Sequence, residues 1–117
     1  MIYLKEIIQQ LSVQPISSAH RLDRPVTGGY ASDLLSCVLK AAKKDWVWIT
    51  LQSHLNVVAV ASLLELAGII ITEGNQPDQE TLTRAENEGV VLMVTPKGTF
   101  RIVAELAAMG IKGDGDS

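Results

Sequence analysis

From Trp46 onward the chain alternates apolar and polar blocks in one repeated rhythm. Trp46-Val47-Trp48-Ile49-Thr50-Leu51 is a β-prone apolar run, closed by the polar Gln52-Ser53-His54. Asn56 to Ala67 is apolar at most positions and rich in helix formers, and Gly68 is expected to end that helix. Ile69-Ile70-Ile71-Thr72 reads as a strand buried on both faces. Glu73 to Pro77 is a loop, and Asp78 to Glu88 a helix with an acidic first turn, stopped by Gly89. Val90 to Val94 is a third strand, and Thr95-Pro96-Lys97-Gly98 a loop. Thr99 can cap a helix running through Met109, closed by Gly110. Gly68, Gly89 and Gly110 stand 21 residues apart, the length of one strand plus one helix. A solenoid could have such a period, but three units without a leucine-and-asparagine pattern fit an ordinary β-α succession better. The pattern therefore predicts an α/β fold: one three-layer domain with a mainly parallel sheet, helices on both faces, and strands near 46–51, 69–72 and 90–94.

The first half is less regular. Leu4, Ile7, Ile8 and Leu11 form one helical stripe, so residues 2–11 are expected to make an amphipathic helix docked on its own domain. A short strand is expected around Ser17–Arg21, and Val26 to Tyr30 reads as a turn or strand edge. Asp33 to Lys43 is expected to be a helix with Leu34, Leu35, Val38, Leu39 and Ala42 inward. The division is then an N-terminal helix over 1–12, an α/β domain over 13–111, and a polar, disordered tail over 112–117.

At 117 residues one domain is expected, large enough to bury a core without staples. The single cysteine, Cys37, removes any internal disulfide or CxxC motif and reads as a small buried apolar residue. No apolar run reaches the roughly 18 residues of a membrane span, and MIYLKEIIQQ does not read as a secretory signal. A cytoplasmic location is the resulting expectation. Residues 1–44 carry six basic and three acidic side chains, whereas 45–117 carry four and ten. The net charge of −3 leaves no basic stripe for nucleic acid. The pair Lys43-Lys44 is better read as matching a helix C-terminus than as a binding patch.

No phosphate-cradling G-x-x-x-x-G-K-[ST] or G-x-G-x-x-G is present. His20, His54 and Cys37 do not assemble into a zinc site, and Gly113-Asp114-Gly115-Asp116-Ser117 lacks the bidentate glutamate of a calcium loop. No metal or cofactor is expected. The informative cluster is the set of strand ends, because open parallel sheets bind ligands outside the carboxyl ends of their strands. Those ends carry Gln52-Ser53-His54-Leu55-Asn56, then Thr72-Glu73-Gly74-Asn75, then Thr95-Pro96, each ahead of a helix start that favours an anion. Asn56 and Thr95 can equally be plain helix caps, and Gly74 a turn residue. His54 at a helix start could be a base, with Glu73 as its one available acid.

These features resemble the DRTGG domain family over residues from about 13 to 110. The resemblance rests on Val26-Thr27-Gly28-Gly29-Tyr30-x-Ser32-Asp33-Leu34-Leu35-Ser36, on Gln52-x-His54-x-Asn56, and on a strand of three isoleucines before a turn with Thr and Gly. It equates the family's Asp-Arg with Ser53-His54 and its Thr-Gly-Gly with Thr72-Glu73-Gly74. The literal Thr27-Gly28-Gly29 is set aside as lying ahead of a helix rather than after a strand of the sheet. The family is similar to the N-terminal domain of HPr kinase/phosphorylase, whose kinase activity belongs to a separate P-loop domain. It also accompanies phosphotransacetylases and pyrophosphatase regulatory regions.

The resemblance implies a non-enzymatic regulatory or ligand-sensing module, often dimeric. A small nucleotide-like or anionic ligand would sit among Gln52, Ser53, His54, Asn56, Thr72, Glu73, Gly74 and Thr95. The alternatives are a purely structural dimerisation domain and an enzyme using His54. A homodimer is expected, with the charge-poor Val26–Leu39 stretch as its candidate edge. Trp46 and Trp48, on one sheet face by alternation, are read as core.

Overall fold

The computed structural model describes residues 1–114. Five helices, α1 (Leu4–Leu11), α2 (Leu35–Ala41), α3 (Leu55–Leu64), α4 (Gln79–Glu88) and α5 (Thr99–Ala108), accompany seven short strands. The strands are β1 (Ile2–Tyr3), β2 (Gln14–Pro15), β3 (Pro25–Val26), β4 (Gly28–Ala31), β5 (Trp46–Thr50), β6 (Gly68–Ile71) and β7 (Leu92–Val94). The main sheet has the order β2-β7-β6-β5-β4, with β4 to β7 parallel and β2 antiparallel at one edge. β1 and β3 pair antiparallel beside it.

Three successive β-α-β steps, β4-α2-β5, β5-α3-β6 and β6-α4-β7, move across the sheet in one direction. Crossovers of one hand therefore place α2, α3 and α4 on the same face. Alternation along the strands sorts the core into two clusters. Trp46, Trp48, Ile69, Ile71, Leu92 and Val94 meet Val38, Val57, Val58, Ala61 and Ala85 of that helix layer. Val47, Ile49, Ile70 and Met93 meet Leu4, Ile7 and Leu11 of α1 and Ile102 and Leu106 of α5. The expected three-layer α/β domain is thus observed, and α1 shares its core with the region after residue 12. Both tryptophans are buried as expected, and the Trp48 indole N–H donates to the Ser32 carbonyl at 2.8 Å.

Several local expectations are corrected. Gly68 does not end α3: Glu65, at φ 56°, takes the left-handed position there, and Gly68 opens β6. Its lack of a side chain answers a packing need, since a Cβ would lie 2.7 Å from Met93 Cε and 3.2 Å from the Val91 carbonyl. Gly89 (φ 69°) and Gly110 (φ 101°) do adopt the left-handed conformation after α4 and α5. No strand forms at Ser17–Arg21, where Ala19–Arg21 make a 3-10 turn after a left-handed Ser18. Ser17 still serves the sheet through its side chain: Oγ donates to the Val90 carbonyl at 2.7 Å and accepts from Leu92 N–H at 2.8 Å.

α2 is shorter than expected, and Leu34 (60% exposed) and Leu39 (44%) point outward rather than into the core. Lys43 and Lys44 lie beyond its end, and Lys44 faces Glu65 at 3.8 Å. Thr99 does not cap α5 but is its first residue. The tail expected from 112 is tied down at its start, where the Lys112 carbonyl accepts from Gly29 N–H at 3.0 Å. Residues 115–117, which hold the rest of that tail and of the candidate calcium loop, lie outside the described residues.

The strand edge expected over Val26 to Tyr30 is observed: Gly28 and Gly29 are the first residues of the edge strand β4, ahead of α2, paired with Trp46 and Val47. A Cβ on Gly28 would sit 2.5 Å from the Trp46 indole, a rigid, buried ring. Overpacking of a filled site costs about 1–3 kcal/mol. For Gly28→Ala we expect a melting point lower by roughly 4–12 °C, measured by calorimetry, with the far-UV spectrum retained.

Candidate functional site

The parallel strands β5, β6 and β7 end next to Thr50, Thr72 and Thr95, all three buried. Each hydroxyl ties one loop to its neighbour or closes its own turn. Thr50 Oγ1 donates to Asp33 Oδ1 at 2.8 Å, and the same oxygen accepts from Leu51 N–H at 2.7 Å. Gln52 N–H donates to Thr50 Oγ1, and its side-chain amide donates to the Asp33 carbonyl. Thr72 Oγ1 lies 2.6 Å from Thr99 Oγ1, and Thr95 Oγ1 accepts from Lys97 N–H at 3.1 Å.

The loop after β6 is bonded to the loop after β7. Glu73 (φ 63°) and Gly74 (φ 78°) are both left-handed, and their N–H groups donate to the Lys97 and Thr95 carbonyls. This turns the Glu73 carboxylate onto Thr99 N–H at 2.9 Å, so Glu73 caps α5 from another loop. Asn75 reaches the other way, its amide donating to the Leu51 carbonyl at 2.8 Å. The His54–Glu73 pair weighed for acid–base work is therefore not formed: Glu73 serves α5. Asp33 and Thr99 are linking residues outside the expected strand-end cluster, where the sequence pattern has Asp33 starting a helix and Thr99 capping one; Asn75 stands in that cluster, but its partner, the Leu51 carbonyl, lies 24 residues away.

The eight expected site residues thus divide. Gln52, Thr72, Glu73, Gly74 and Thr95 are engaged in joining the loops. Ser53, His54 and Asn56 stand together at the start of α3, with His54 as its N-cap and both His54 and Asn56 exposed. Asn56 lies inside α3 and does not cap it. α4 is capped by Asp78, whose Oδ1 accepts from Thr81 N–H at 2.9 Å, and α5 by Glu73. α3 has no side-chain cap: Val57 N–H donates to the His54 carbonyl at 3.1 Å, and the Leu55 and Asn56 N–H groups ahead of it have no side-chain partner.

Larger concavities lie elsewhere. One of about 550 Å³ runs between residues 15–19 and α4, lined by Ile16, Leu82, Thr83 and Asn87. Another of about 400 Å³ lies between β4 and α5, lined by Gly29, Ala31, Ile49, Val103, Ala107 and Ile111. Among the described residues no group of His, Cys, Asp and Glu is placed to hold a metal ion, and no helix is long and apolar enough to cross a membrane.

Two predictions follow from these contacts. Losing an N-cap costs about 0.5–2 kcal/mol, so Glu73→Ala should lower the melting point of the unliganded protein by several degrees. A purely ligand-contacting Glu73 would leave it unchanged. The second concerns acid. Hydrogen bonds from Thr81 hold the Asp78 carboxyl below its ordinary range, Arg84 does so for Glu88, and Arg101 followed by Lys97 for Glu105. A carboxylate depressed in the folded state adds stability that is complete above its unfolded pKa and is lost as pH falls through the folded value. Melting points should therefore hold steady from pH 7 down to roughly pH 5, then fall on further acidification. A melting point rising below pH 4 would contradict these pairings.

Comparison with known proteins bears on the whole chain. A model described as the DRTGG domain matches residues 6–109. The run from Asp23-Arg24 to Thr27-Gly28-Gly29 leads into β4. Here Arg24 grips the Leu66 and Glu65 carbonyls after α3 at 2.9 and 3.0 Å and the Asp45 carboxylate at 2.9 Å. Among solved structures, the chain is similar to the CBS and DRTGG domains of the regulatory region of Clostridium perfringens pyrophosphatase, crystallised with the activator diadenosine tetraphosphate. The TM-score is 0.71 at 17% identity, covering 95% of this chain and 48% of that one. The chain thus spans about half the length of that structure, and the likeness speaks for the fold. No curated protein matches the sequence. With 6–109 matched and the fold shared, this chain belongs to the DRTGG domain family.

Proposed function

We propose that the chain is a non-enzymatic regulatory module that senses a small nucleotide-like or anionic ligand at the strand ends. The observation that carries this reading is the uncapped start of α3. Of the three helices that follow β5, β6 and β7, only α3 lacks a side-chain cap, and Ser53, His54 and Asn56 lie at that start. Backbone N–H groups and the helix dipole favour an anion there. Because Asn75 binds the Leu51 carbonyl and Glu73 binds α5, a ligand on the loop 51–54 would bear on all three loops. The similar pyrophosphatase region was crystallised with a dinucleotide activator, which supports a nucleotide as the class of ligand. The lone, half-buried Cys37 suits the reducing cytoplasm in which we place the protein.

We further read the module as a homodimer. The observation favouring self-association is the uncovered apolar stripe of α5, where Phe100 is 89% and Val103 38% exposed.

Diadenosine tetraphosphate, ATP and inorganic phosphate are the probes for a thermal-shift test. A probe present at about 100 times its dissociation constant stabilises the fold by roughly 2.7 kcal/mol, a rise on the order of 10 °C. His54→Ala should lose that rise while leaving the unliganded melting point within about 1 °C, because an exposed loop side chain adds little to the core. A rise that survives His54→Ala moves the ligand to another surface. No rise with any probe, in a protein that still dimerises, leaves the purely structural dimerisation domain as the function.

A further inference from the structure

α5 is apolar on two opposite faces. Ile102 and Leu106 point into the core. Phe100, Val103, Ala104, Ala107 and Ala108 form a second stripe, at i, i+3, i+4, i+7 and i+8, and all five are exposed. Phe100 is the only phenylalanine of the chain and is 89% exposed. A surface helix normally turns its polar side to solvent, and here an apolar stripe lies there instead. The charges of α5, Arg101 and Glu105, bond to each other along its flank at 3.0 Å and leave the stripe uncharged.

Beside this stripe lies the roughly 400 Å³ groove whose floor is β4. No helix covers β4 on this face: α5 stands over β5, and α1 packs on the far side of α5. The groove is lined by small residues, Gly29, Ala31 and Ala107, between the larger Ile49, Val103 and Ile111. A projecting aromatic and a shallow apolar hole therefore sit next to each other on one surface.

We propose that a second copy of this chain docks on this face, through α5 and the groove beside β4. This docking face rests on the homodimer proposed above and is its interface. A knob and a hole on one surface are what a two-fold axis pairs reciprocally, each copy's knob entering the other's hole. Two α5 helices crossing antiparallel about an axis at Val103 bring Phe100 opposite the partner's Leu106 and Ala107 and the groove that both line. The same axis sets Arg101 of each copy beside Glu105 of the other, so the charges match as well as the shapes. An aromatic side chain buries about 150–250 Å² when covered, near a quarter of the roughly 800 Å² per partner in a standard interface. The outward leucines of α2 and α3 have no such hole beside them: Leu39 adjoins Lys40, and Leu63 lies two residues from Glu65. The interface is thus shifted from the Val26–Leu39 stretch to α5, keeping only β4 from it.

Sedimentation of the full chain at several hundred micromolar tests this. The wild type should run at twice its 12.6 kDa. Phe100→Glu and Ala107→Arg, both at exposed positions, should run as folded monomers with unchanged far-UV spectra. Leu63→Glu, on the opposite face and 73% exposed, should remain dimeric. A Val103→Cys, Cys37→Ser double variant should cross-link to itself on oxidation, because a residue on the axis meets its own copy. If the wild type is a dimer and Phe100→Glu stays one, this face is wrong and the homodimer stands. If the wild type is monomeric throughout, both fall.

Discussion

The burial of β5, β6 and β7 on both faces is the constraint from which the rest of the structure follows. Every residue of Trp46–Thr50, Gly68–Ile71 and Leu92–Val94 is buried. Side chains of both parities must then be apolar, and two helix layers are needed to cover them. Backbone groups in such strands cannot reach water, so each must find a partner within the sheet. β4 supplies that on one side with four paired residues. On the other side β2 pairs only two residues, and the remaining bonds come from Ile16 N–H to the Leu92 carbonyl and from the Ser17 hydroxyl. The side chain of Ser17 stands in for a strand that its backbone does not form.

The same constraint shapes the carboxyl edge. A buried strand that ends abruptly needs polar closure, and threonine at positions 50, 72 and 95 provides it at the ends of β5, β6 and β7. These hydroxyls, with Asp33, Glu73 and Asn75, turn three separate loops into one bonded surface. That surface leaves few polar groups free. The residues still available to a ligand are those that no neighbouring loop uses, at the start of α3. Arg24 does the matching work at the opposite edge, where its guanidinium gathers carbonyls at the end of α3 and the Asp45 carboxylate.

How much of this was legible in the sequence depended on the range of the cause. β5, β6 and β7 were visible because their apolar runs are continuous and their neighbours are polar or helix-forming. Gly89 and Gly110 were visible because a glycine after an amphipathic stretch meets a local need for positive φ. Gly68 has the same spacing, yet its cause is a neighbour on β7, Met93, and a carbonyl 23 residues away. Gly28 is small because of Trp46, which no local window connects to it. Leu34 and Leu39 fit an inward pattern, and only the shortness of α2 and its position at the sheet edge turn them to solvent. Glu73 looked like a site acid, and only the paired left-handed turn at Glu73 and Gly74 aims it at α5.

By itself, then, the sequence determined the fold class, the three central strands, the helices between them and the polar character of each strand end. These depend on periodicity and on residues within a few positions of one another, which the chain writes in order. The tertiary structure alone decided which polar residues at the strand ends are spent on each other, which glycines yield to a distant side chain, and which apolar helix face is left uncovered. Those outcomes depend on contacts between residues far apart in the chain, and on the width of sheet that two helices can cover.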